Sequence, residues 1–517
     1  MKRGPWLAGG LALVLGAHLL VAADWPQFRG PASGIVANDS LPTEWSAGKN
    51  IAWKVKLPGY GWSSPIVWGD KVIVTTAVTD NQPKPGGRPG GGGGPGRPGG
   101  GDRPPEGQRP PEGQRPAEGQ RPPEGQRPPG GGRAQRPPDK VYRFEVHCLD
   151  RATGKEIWQT VALEAKPRIP TQPSNTYASE TPITDGERIY AYFGMTGLFC
   201  LDMNGNLVWK QDLGAYPMQM GWGTGSSPAL ADGRLFIQCD NEESSFLVAL
   251  DAKTGQELWR VPREERTTWS TPFVWRNKQR TELVTAGVRK VRSYDPATGK
   301  LLWELANIGG QCNTTPVGDG DFLYVGNGGR GGGMGGPGGG QRPGGDRPPE
   351  GDRPSGGDRP PGGGRGGMGA AGGTLFAVRA GATGDITLKE GEAANAGVAW
   401  SAPRAAPAMA SALLYRGHLY TLEQRSGQIS CLDARTGQPL YARERITGAR
   451  GFTSSPWAAD GKIYCLDDAG QTFVLKAGPQ FEVLAQNPLN EMCWSSPAVA
   501  DGSIYLRTVD HLYCIRR

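Results

Sequence analysis

The chain has 517 residues and a formal net charge of +7, with 82 glycines and 46 prolines. Glycine and proline at this level indicate low-complexity tracts inside a turn-rich β protein. The excess positive charge lies in two such tracts, with +5 in residues 82–138 and +2 in residues 328–372. The remainder is therefore neutral, no folded basic patch is predicted, and nucleic acid is not an expected partner.

Residues 1–23 have the pattern of a signal peptide. Lys2 and Arg3 precede an apolar run that ends in the small residues Val21-Ala22-Ala23. A retained membrane anchor is the alternative interpretation, and the short run, broken by glycines and His18, disfavours it. We predict export to the periplasm or cell envelope, or secretion, with no membrane span left after cleavage.

Residues 24–50 are a lead-in, and residues 51–517 contain a unit that recurs eight times, with a period of about 46 residues outside the two tracts. Each unit opens with small hydroxyl residues, usually closed by proline, and continues into an apolar hairpin whose turn is often Asp-Gly. This hairpin supplies strands A and B. The openings are Ser63-Ser64-Pro65, Thr181-Pro182, Ser226-Ser227-Pro228, Ser270-Thr271-Pro272, Thr314-Thr315-Pro316, Ser411-Ala412, Ser454-Ser455-Pro456 and Ser495-Ser496-Pro497.

A second hairpin supplies strands C and D, and its best copy is ALDAKTGQELW, residues 249–259. These residues resemble the tryptophan-docking repeat of quinoprotein dehydrogenases and of the propeller subunit of the outer-membrane β-barrel assembly machinery. The resemblance implies that the aromatic residue ending one repeat packs against the turn glycine of the next. It also covers the lead-in, whose start resembles that of many exported propellers. The implied docking residues are Trp53, Trp158, Trp209, Trp259, Trp303, Trp400 and Tyr441.

The expected fold is all-β, an eight-bladed β-propeller of four-stranded antiparallel blades. The last unit has strands A to C but no strand D, whereas Ile51 to Val55 has the pattern of a strand D without a blade. We therefore expect Trp53 to complete blade 8 beside Cys514 and close the ring. The seventh unit has no docking tryptophan, so its interface should be weaker or rebuilt.

The two tracts, residues 82–138 and 328–372, are predicted to be disordered insertions because they have almost no apolar side chains. Both fall between strands B and C, in blades 1 and 5, so they leave the same face of the ring. One hypothesis is that the tracts are flexible arms that tether the propeller to cell-envelope material or to a partner. The alternative is that they are neutral low-complexity expansions tolerated in surface loops.

The axial pocket on that face is the default ligand site of a propeller. Tryptophans three residues before the anchoring proline either stack a flat ligand there or only cover the channel mouth. Carboxylates at the ends of strands B either converge on calcium or are solvated. The candidate pocket residues are Trp62, Trp269, Asn313, Glu423, Asp467, Asp510 and Trp494.

No catalytic or metal-binding group is predicted. The eight cysteines include no adjacent pair, of the kind that quinoprotein alcohol dehydrogenases place against their cofactor, and no Cys-x-x-Cys-His. After the signal only His147, His418 and His511 remain, scattered over three blades, which argues against a zinc cluster or a nucleophile-histidine site.

The leading hypothesis is an exported, non-catalytic propeller that binds a protein or an envelope polymer through its axial face and arms. The alternative is a dehydrogenase that uses pyrroloquinoline quinone with calcium to oxidise an alcohol or sugar.

Overall fold

The computed structural model describes residues 24–36, 40–86, 136–328 and 373–517. These residues form eight antiparallel sheets arranged as an eight-bladed propeller, which confirms the predicted fold. The predicted signal peptide and most of both predicted insertions lie outside the described residues. The flanks show that each insertion joins strands B and C, since strand B of blade 1 ends at Val78 and strand C begins at Tyr142.

Strand A is the innermost strand of each blade and strand D the outermost. The strands of blades 1 to 4, in the order A to D, are Ile66–Trp68, Lys71–Val78, Tyr142–Asp150 and Glu156–Ala165; Ile183–Thr184, Arg188–Tyr192, Leu198–Asp202 and Leu207–Gln211; Ala229–Ala231, Arg234–Cys239, Phe246–Asp251 and Glu257–Pro262; Phe273–Arg276, Thr281–Ala286, Lys290–Tyr294 and Leu301–Ala306.

The strands of blades 5 to 8, in the same order, are Val317–Gly318, Phe322–Gly326, Leu375–Arg379 and Val398–Ala402; Leu413–Tyr415, His418–Leu422, Gln428–Asp433 and Pro439–Arg445; Trp457–Ala459, Lys462–Leu466, Gln471–Lys476 and Val483–Pro488; Ala498–Ala500, Ser503–Arg507, His511–Ile515 and Ile51–Lys56. Gly384–Asp385 adds a short fifth strand to blade 4, and 3₁₀ helices span Gly194–Thr196 and Gln219–Gly221. Within the described ranges no helix has the length and apolarity to cross a bilayer.

The ring closes through the beginning of the described chain. Strand Ile51–Lys56 pairs antiparallel with His511–Ile515, and Trp53 lies opposite Cys514. The predicted closure by an N-terminal strand is confirmed. As a result, strands A to C of blade 8 come from residues 498–515 and its strand D comes from residues 51–56.

Local turn chemistry explains why the hairpins form. The A–B turns Asp232-Gly233, Asp460-Gly461 and Asp501-Gly502 have positive φ at both residues, as a type I′ turn requires. In the C–D turn of blade 3, the carboxylate of Asp251 accepts hydrogen bonds from the backbone N–H and the hydroxyl of Thr254, at 2.8 and 2.9 Å. Gly255 follows with φ +72°.

The docking tryptophans lie on these turn glycines. A Cβ atom on Gly437 would come within 2.6 Å of the Trp400 ring, so only glycine fits beneath the indole. Trp400 Nε1 donates to the carbonyl of Ala434 at 3.1 Å, and its ring lies 5.8 Å from that of Tyr324. The same arrangement joins Trp53 to Gly154, Trp158 to Gly205, Trp209 to Gly255 and Trp259 to Gly299.

Blade 4 departs from this arrangement. Trp303 is fully buried, and its Nε1 donates to Glu282 Oε2 of the same blade at 2.6 Å. The next turn glycine, Gly384, has instead joined the fifth strand, which pairs in parallel with Trp303 and Glu304. This junction is therefore built from an added strand rather than from a docked indole.

Blade 7 departs in another way. Ala485 occupies its docking position, opposite Val474 and in line with Tyr464. Blade 8 has no C–D turn, because its strands C and D come from opposite ends of the chain, so no turn glycine is present to receive an indole. Trp45 of the lead-in takes over and stacks on Tyr464, with ring centroids 6.5 Å apart and planes 15° apart. The backbone N–H of Trp45 donates to Asn487 Oδ1 at 2.8 Å.

The beginning of the lead-in crosses the face of the ring that carries the A–B turns. Trp25 exchanges two backbone hydrogen bonds of 2.9 Å with Val67 of blade 1, and the carbonyl of Pro26 accepts from Thr184 of blade 2. Farther along, Gly34 and Val36 bond to the backbone of Ala458 in blade 7. The lead-in therefore spans the axial channel on this face.

Candidate axial binding site

Two residues before strand A of every blade lies a hydroxyl residue that faces the axis. In each unit it is the residue directly before the anchoring proline, or before Ala412 in blade 6. These eight residues, called here the hydroxyl ring, line one axial cavity. They are Ser64, Thr181, Ser227, Thr271, Thr315, Ser411, Ser455 and Ser496.

The hydroxyl ring holds neighbouring blades together. The backbone N–H of Ser64 donates to the hydroxyl of Thr181 at 3.0 Å, and the N–H of Thr181 donates to the hydroxyl of Ser227 at 2.9 Å. The same bond is present at four further junctions, starting from Ser227, Thr315, Ser411 and Ser455. A buried backbone N–H needs an acceptor, which explains why these openings carry serine or threonine.

The cavity has a volume of about 830 Å³, within the usual size range of ligand sites. Phe28 of the lead-in lines it from the A–B-turn face, where the lead-in crosses the channel. On the opposite face four tryptophans, Trp62, Trp222, Trp269 and Trp494, line the cavity, and we call them the tryptophan lip. The site is therefore a pocket that opens on the face from which the D–A and B–C loops emerge.

The tryptophan lip consists of two tilted pairs from different sides of the ring. Trp62 and Trp494, from blades 1 and 8, have ring centroids 5.4 Å apart, and Trp222 and Trp269 are 6.0 Å apart. The Nε1 of Trp62 donates to the carbonyl of Ser174 at 2.9 Å, and that of Trp269 to the carbonyl of Gly223 at 2.8 Å. These bonds anchor each indole to a neighbouring loop. Trp62 is buried, whereas the other three are partly exposed.

Of the remaining candidates, Asn313 and Glu423 also line the cavity. Asn313 donates from Nδ2 to the carbonyl of Ala408 at 3.0 Å, which fixes its amide at the rim. Glu423 lies in blade 6 beside the other two charged lining residues, Arg425 and Arg443. Charge in the pocket is therefore confined to one blade.

Asp467 and Asp510 do not line the cavity. Asp467 is fully buried and accepts backbone N–H bonds from Ala469 and Gln471, which cap its own B–C turn, and from Arg450 of the preceding D–A loop. Burial raises the pKa of its carboxyl group, and the backbone bonds oppose that rise. Asp510 forms an ion pair with Lys84 at the surface. The expectation that strand-B carboxylates converge at the axis therefore does not hold for these two.

Both insertions begin near this pocket. Gly328, the first residue of the second insertion, lines the cavity and donates its N–H to the carbonyl of Pro407 at 3.0 Å. Gly86, the last described residue in the opening of the first insertion, donates its N–H to the carbonyl of Pro173 at 3.1 Å. Pro173 adjoins Ser174, which holds Trp62. The face with the pocket is therefore the face from which both insertions start.

One buried carboxyl group lies behind the pocket wall. Glu180 precedes Thr181 of the hydroxyl ring and occupies a position that is serine or threonine in most blades. It is 1% exposed, and burial raises its pKa to about 7, an effect that the nearby Thr224 hydroxyl only partly offsets. Gly194 leaves room for it, since a Cβ there would lie 2.9 Å from Glu180 Oε1.

Sequence reasoning did not identify Trp222, Phe28 or the hydroxyl ring as lining residues. The hydroxyl residues were used only to mark the repeats. Their recurrence at one position in all eight blades could have predicted that they line the axis, because equivalent inner positions of a propeller face the same channel. Trp222 and Phe28 occupy no repeat position. They reach the cavity through a D–A loop and the lead-in, so the spacing of the repeats gives no signal for them.

Comparison with known proteins agrees with this architecture. Residues 143–328 match the family model described as outer membrane protein assembly factor BamB. The predicted resemblance to the quinoprotein-like propeller family is confirmed. Quinohemoprotein alcohol dehydrogenase from Comamonas testosteroni has 12% identity and a TM-score of 0.52, over 95% of this chain and 80% of its own. BamB from Moraxella catarrhalis has 11% identity and a TM-score of 0.46, over 72% and 88%.

At these identities the structural likeness shows the fold alone. No curated protein sequence shows significant similarity to the chain.

The pocket residues are a poor fit for pyrroloquinoline quinone with calcium. The quinone has three carboxylates that need cationic partners, whereas the described lining offers only Arg425 and Arg443, both exposed residues of blade 6. Calcium needs several converging carboxylate or carbonyl oxygens, and Glu423 is the single carboxylate of the described lining. In the described ranges no group of three His, Cys, Asp or Glu residues is placed to hold a metal ion.

Proposed function

We propose that this protein is an exported, non-catalytic binding propeller of the cell envelope, and that a protein or envelope polymer binds at its axial pocket. The observation that carries the proposal is the lining of the pocket, which combines hydroxyl, amide and indole groups. Such groups orient and hold a ligand. A catalytic site would need, in addition, a general base, a nucleophile and an activating partner arranged together.

The closed floor also supports binding. Phe28 and the lead-in span the channel at the A–B-turn face, so a ligand enters and leaves through the tryptophan lip. Trp62, Trp269 and Asn313 each donate a hydrogen bond to a carbonyl of a neighbouring loop, which holds these side chains in place. A preorganised rim costs little conformational entropy on binding, and this favours affinity.

The main test separates binding from quinone-dependent oxidation. Purified protein is incubated with pyrroloquinoline quinone and calcium, and we expect no stoichiometric change in absorbance and no dye-linked oxidation of alcohols or sugars. Tight one-to-one quinone binding with turnover would overturn the proposal and favour the dehydrogenase. A dehydrogenase already loaded with quinone serves as the positive control.

A second test asks whether the insertions take part. Protein without residues 87–135 and 329–372 is compared with the full chain for co-purification with envelope fractions. Lower retention of envelope material would support the hypothesis of tethering arms. Equal retention would favour loop expansions without a role in binding and would leave the axial pocket as the site of binding.

A further inference from the structure

We propose that the axial pocket binds an uncharged oligosaccharide, such as a stretch of a neutral envelope polysaccharide. This inference rests on the proposed function and names the ligand class for the same site. It follows from three properties of the lining: its small number of charged groups, its ring of hydroxyl donors around the wall, and its partly exposed indole rings at the rim.

The first property is the small number of charged groups in the lining. The described lining includes twelve serine or threonine residues and five asparagine or glutamine residues, but only three charged ones. These three, Glu423, Arg425 and Arg443, all belong to blade 6. An anionic or cationic ligand would leave its charge without a partner over the rest of the pocket, at a large desolvation cost. A ligand with many hydroxyl groups and no net charge avoids that cost.

The hydroxyl ring provides donors directed at such a ligand. At six junctions the ring hydroxyl accepts a backbone N–H from the neighbouring blade. A hydroxyl group has one proton to donate and two lone pairs, so accepting one N–H leaves its proton free. Within the described chain these six hydroxyls donate to no protein acceptor. A ligand with several hydroxyl oxygens can accept from several of them at once.

The tryptophan lip provides apolar surface. Because the N–H groups of Trp62 and Trp269 are already bonded to loop carbonyls, their indoles are fixed in place. The π face of an indole is electron-rich, and the C–H groups on one face of a pyranose ring are weakly positive, so the two stack favourably. Trp222, Trp269 and Trp494 are partly exposed and can take part.

The inference is tested with immobilised tetrasaccharides of glucose, mannose, xylose and N-acetylglucosamine, with acidic uronic-acid oligomers and extended peptides as comparison ligands. Titration calorimetry then measures the best binder with the full chain. We expect at least one neutral tetrasaccharide to bind and the acidic oligomers and peptides to fail. Trp269→Ala and Trp494→Ala should each weaken binding roughly three- to tenfold, as expected for loss of one aromatic stack.

Two controls keep the result interpretable. Trp269→Phe keeps an aromatic face and should recover part of the affinity. Leu258→Ala changes an exposed outer-strand residue and should leave the affinity unchanged. Thermal melting of each variant shows whether the fold is intact. If Trp269→Ala unfolds the protein, the milder Trp269→Phe and the separate Trp494→Ala carry the test.

Three outcomes would overturn the inference: no binding of any neutral tetrasaccharide, stronger binding of a peptide or acidic oligomer, or neutral binding that the lip variants leave unchanged. Each of these leaves the non-catalytic function in place. The proposed non-catalytic function would be contradicted by a different result, namely quinone binding with turnover. The two proposals can therefore be tested separately.

Discussion

The blade 5–blade 6 junction and the blade 7–blade 8 junction perform the same task with different parts. At the first, Trp400 of the repeat lies on Gly437 and beside Tyr324. At the second, the repeat supplies neither an indole nor a turn glycine. The lead-in contacts both sides: Trp45 stacks on Tyr464 of blade 7, and the carbonyl of Leu41 accepts a hydrogen bond from Arg517, which follows strand C of blade 8. Where the ring is closed by strands from two ends of the chain, the local repeat can no longer bridge the blades and a distant segment does so.

The largest effect is expected from removing the lead-in together with the closing strand. Deletion of residues 24–56 takes away Trp45, the channel floor and strand D of blade 8. The edge of strand His511–Ile515 would then be open, and open edges promote aggregation. We expect a loss that exceeds a typical net stability of about 5–15 kcal/mol. Size-exclusion chromatography and thermal melting measure it, and a cooperative monomer would contradict the account of ring closure.

The next effect is expected at the regular junction. Trp400 is 7% exposed and joins two blades in the middle of the chain, so Trp400→Ala should lower the free energy of unfolding by about 3–5 kcal/mol. Urea unfolding provides the measurement. The exposed Leu258→Ala is the matched surface control and should stay within about 0.5 kcal/mol of the parent. A loss below about 1 kcal/mol for Trp400→Ala would show that docking does not hold the blades together.

A smaller effect is expected at the rebuilt junction. Trp45 is 2% exposed, and its Nε1 has no hydrogen-bond partner among the described residues. Residues 40–50 can detach while the ring stays closed, so the loss for Trp45→Ala is limited to about 3 kcal/mol. Hydrogen exchange should become faster first in blade 7 and the lead-in. Trp45→Phe should keep part of the stacking, and equal exchange in all blades would argue against a local role.

The smallest effect concerns pH and the one hydroxyl position that holds a carboxyl group. Because burial raises the pKa of Glu180 from 4.5 to about 7, the folded state binds this proton more tightly than the unfolded state. Its contribution is fully present below pH 4.5 and is lost as pH rises through about 7. Glu180→Gln should therefore gain on the order of 2 kcal/mol relative to the parent at pH 8 and little at pH 4. Thermal melting of the variant and the parent at both pH values measures this gain. An equal difference in melting temperature at pH 4 and pH 8 would contradict the prediction.

The sequence predicted the parts of the fold that depend on local spacing. Asp-Gly turns, docking tryptophans and the spare strand around Trp53 each follow from a few neighbouring residues and a fixed period. The contacts of Trp45 and Phe28 were not predictable in this way, because they join the lead-in to distant blades without periodicity. Asp467 shows a further limit. Its carboxylate is bound by backbone N–H groups of its own B–C turn and of the preceding D–A loop, and it does not line the cavity.

Closure by strand Ile51–Lys56 also sets the order of assembly during synthesis. The partner of this strand, His511–Ile515, is strand C of the eighth blade, so strand Ile51–Lys56 must wait for the synthesis of all the blades in between before it can pair. Until then the eighth blade lacks its outer strand and the lead-in has no completed channel to cross. An incompletely made chain therefore exposes unpaired strand edges, which makes it a ready substrate for chaperones and proteases.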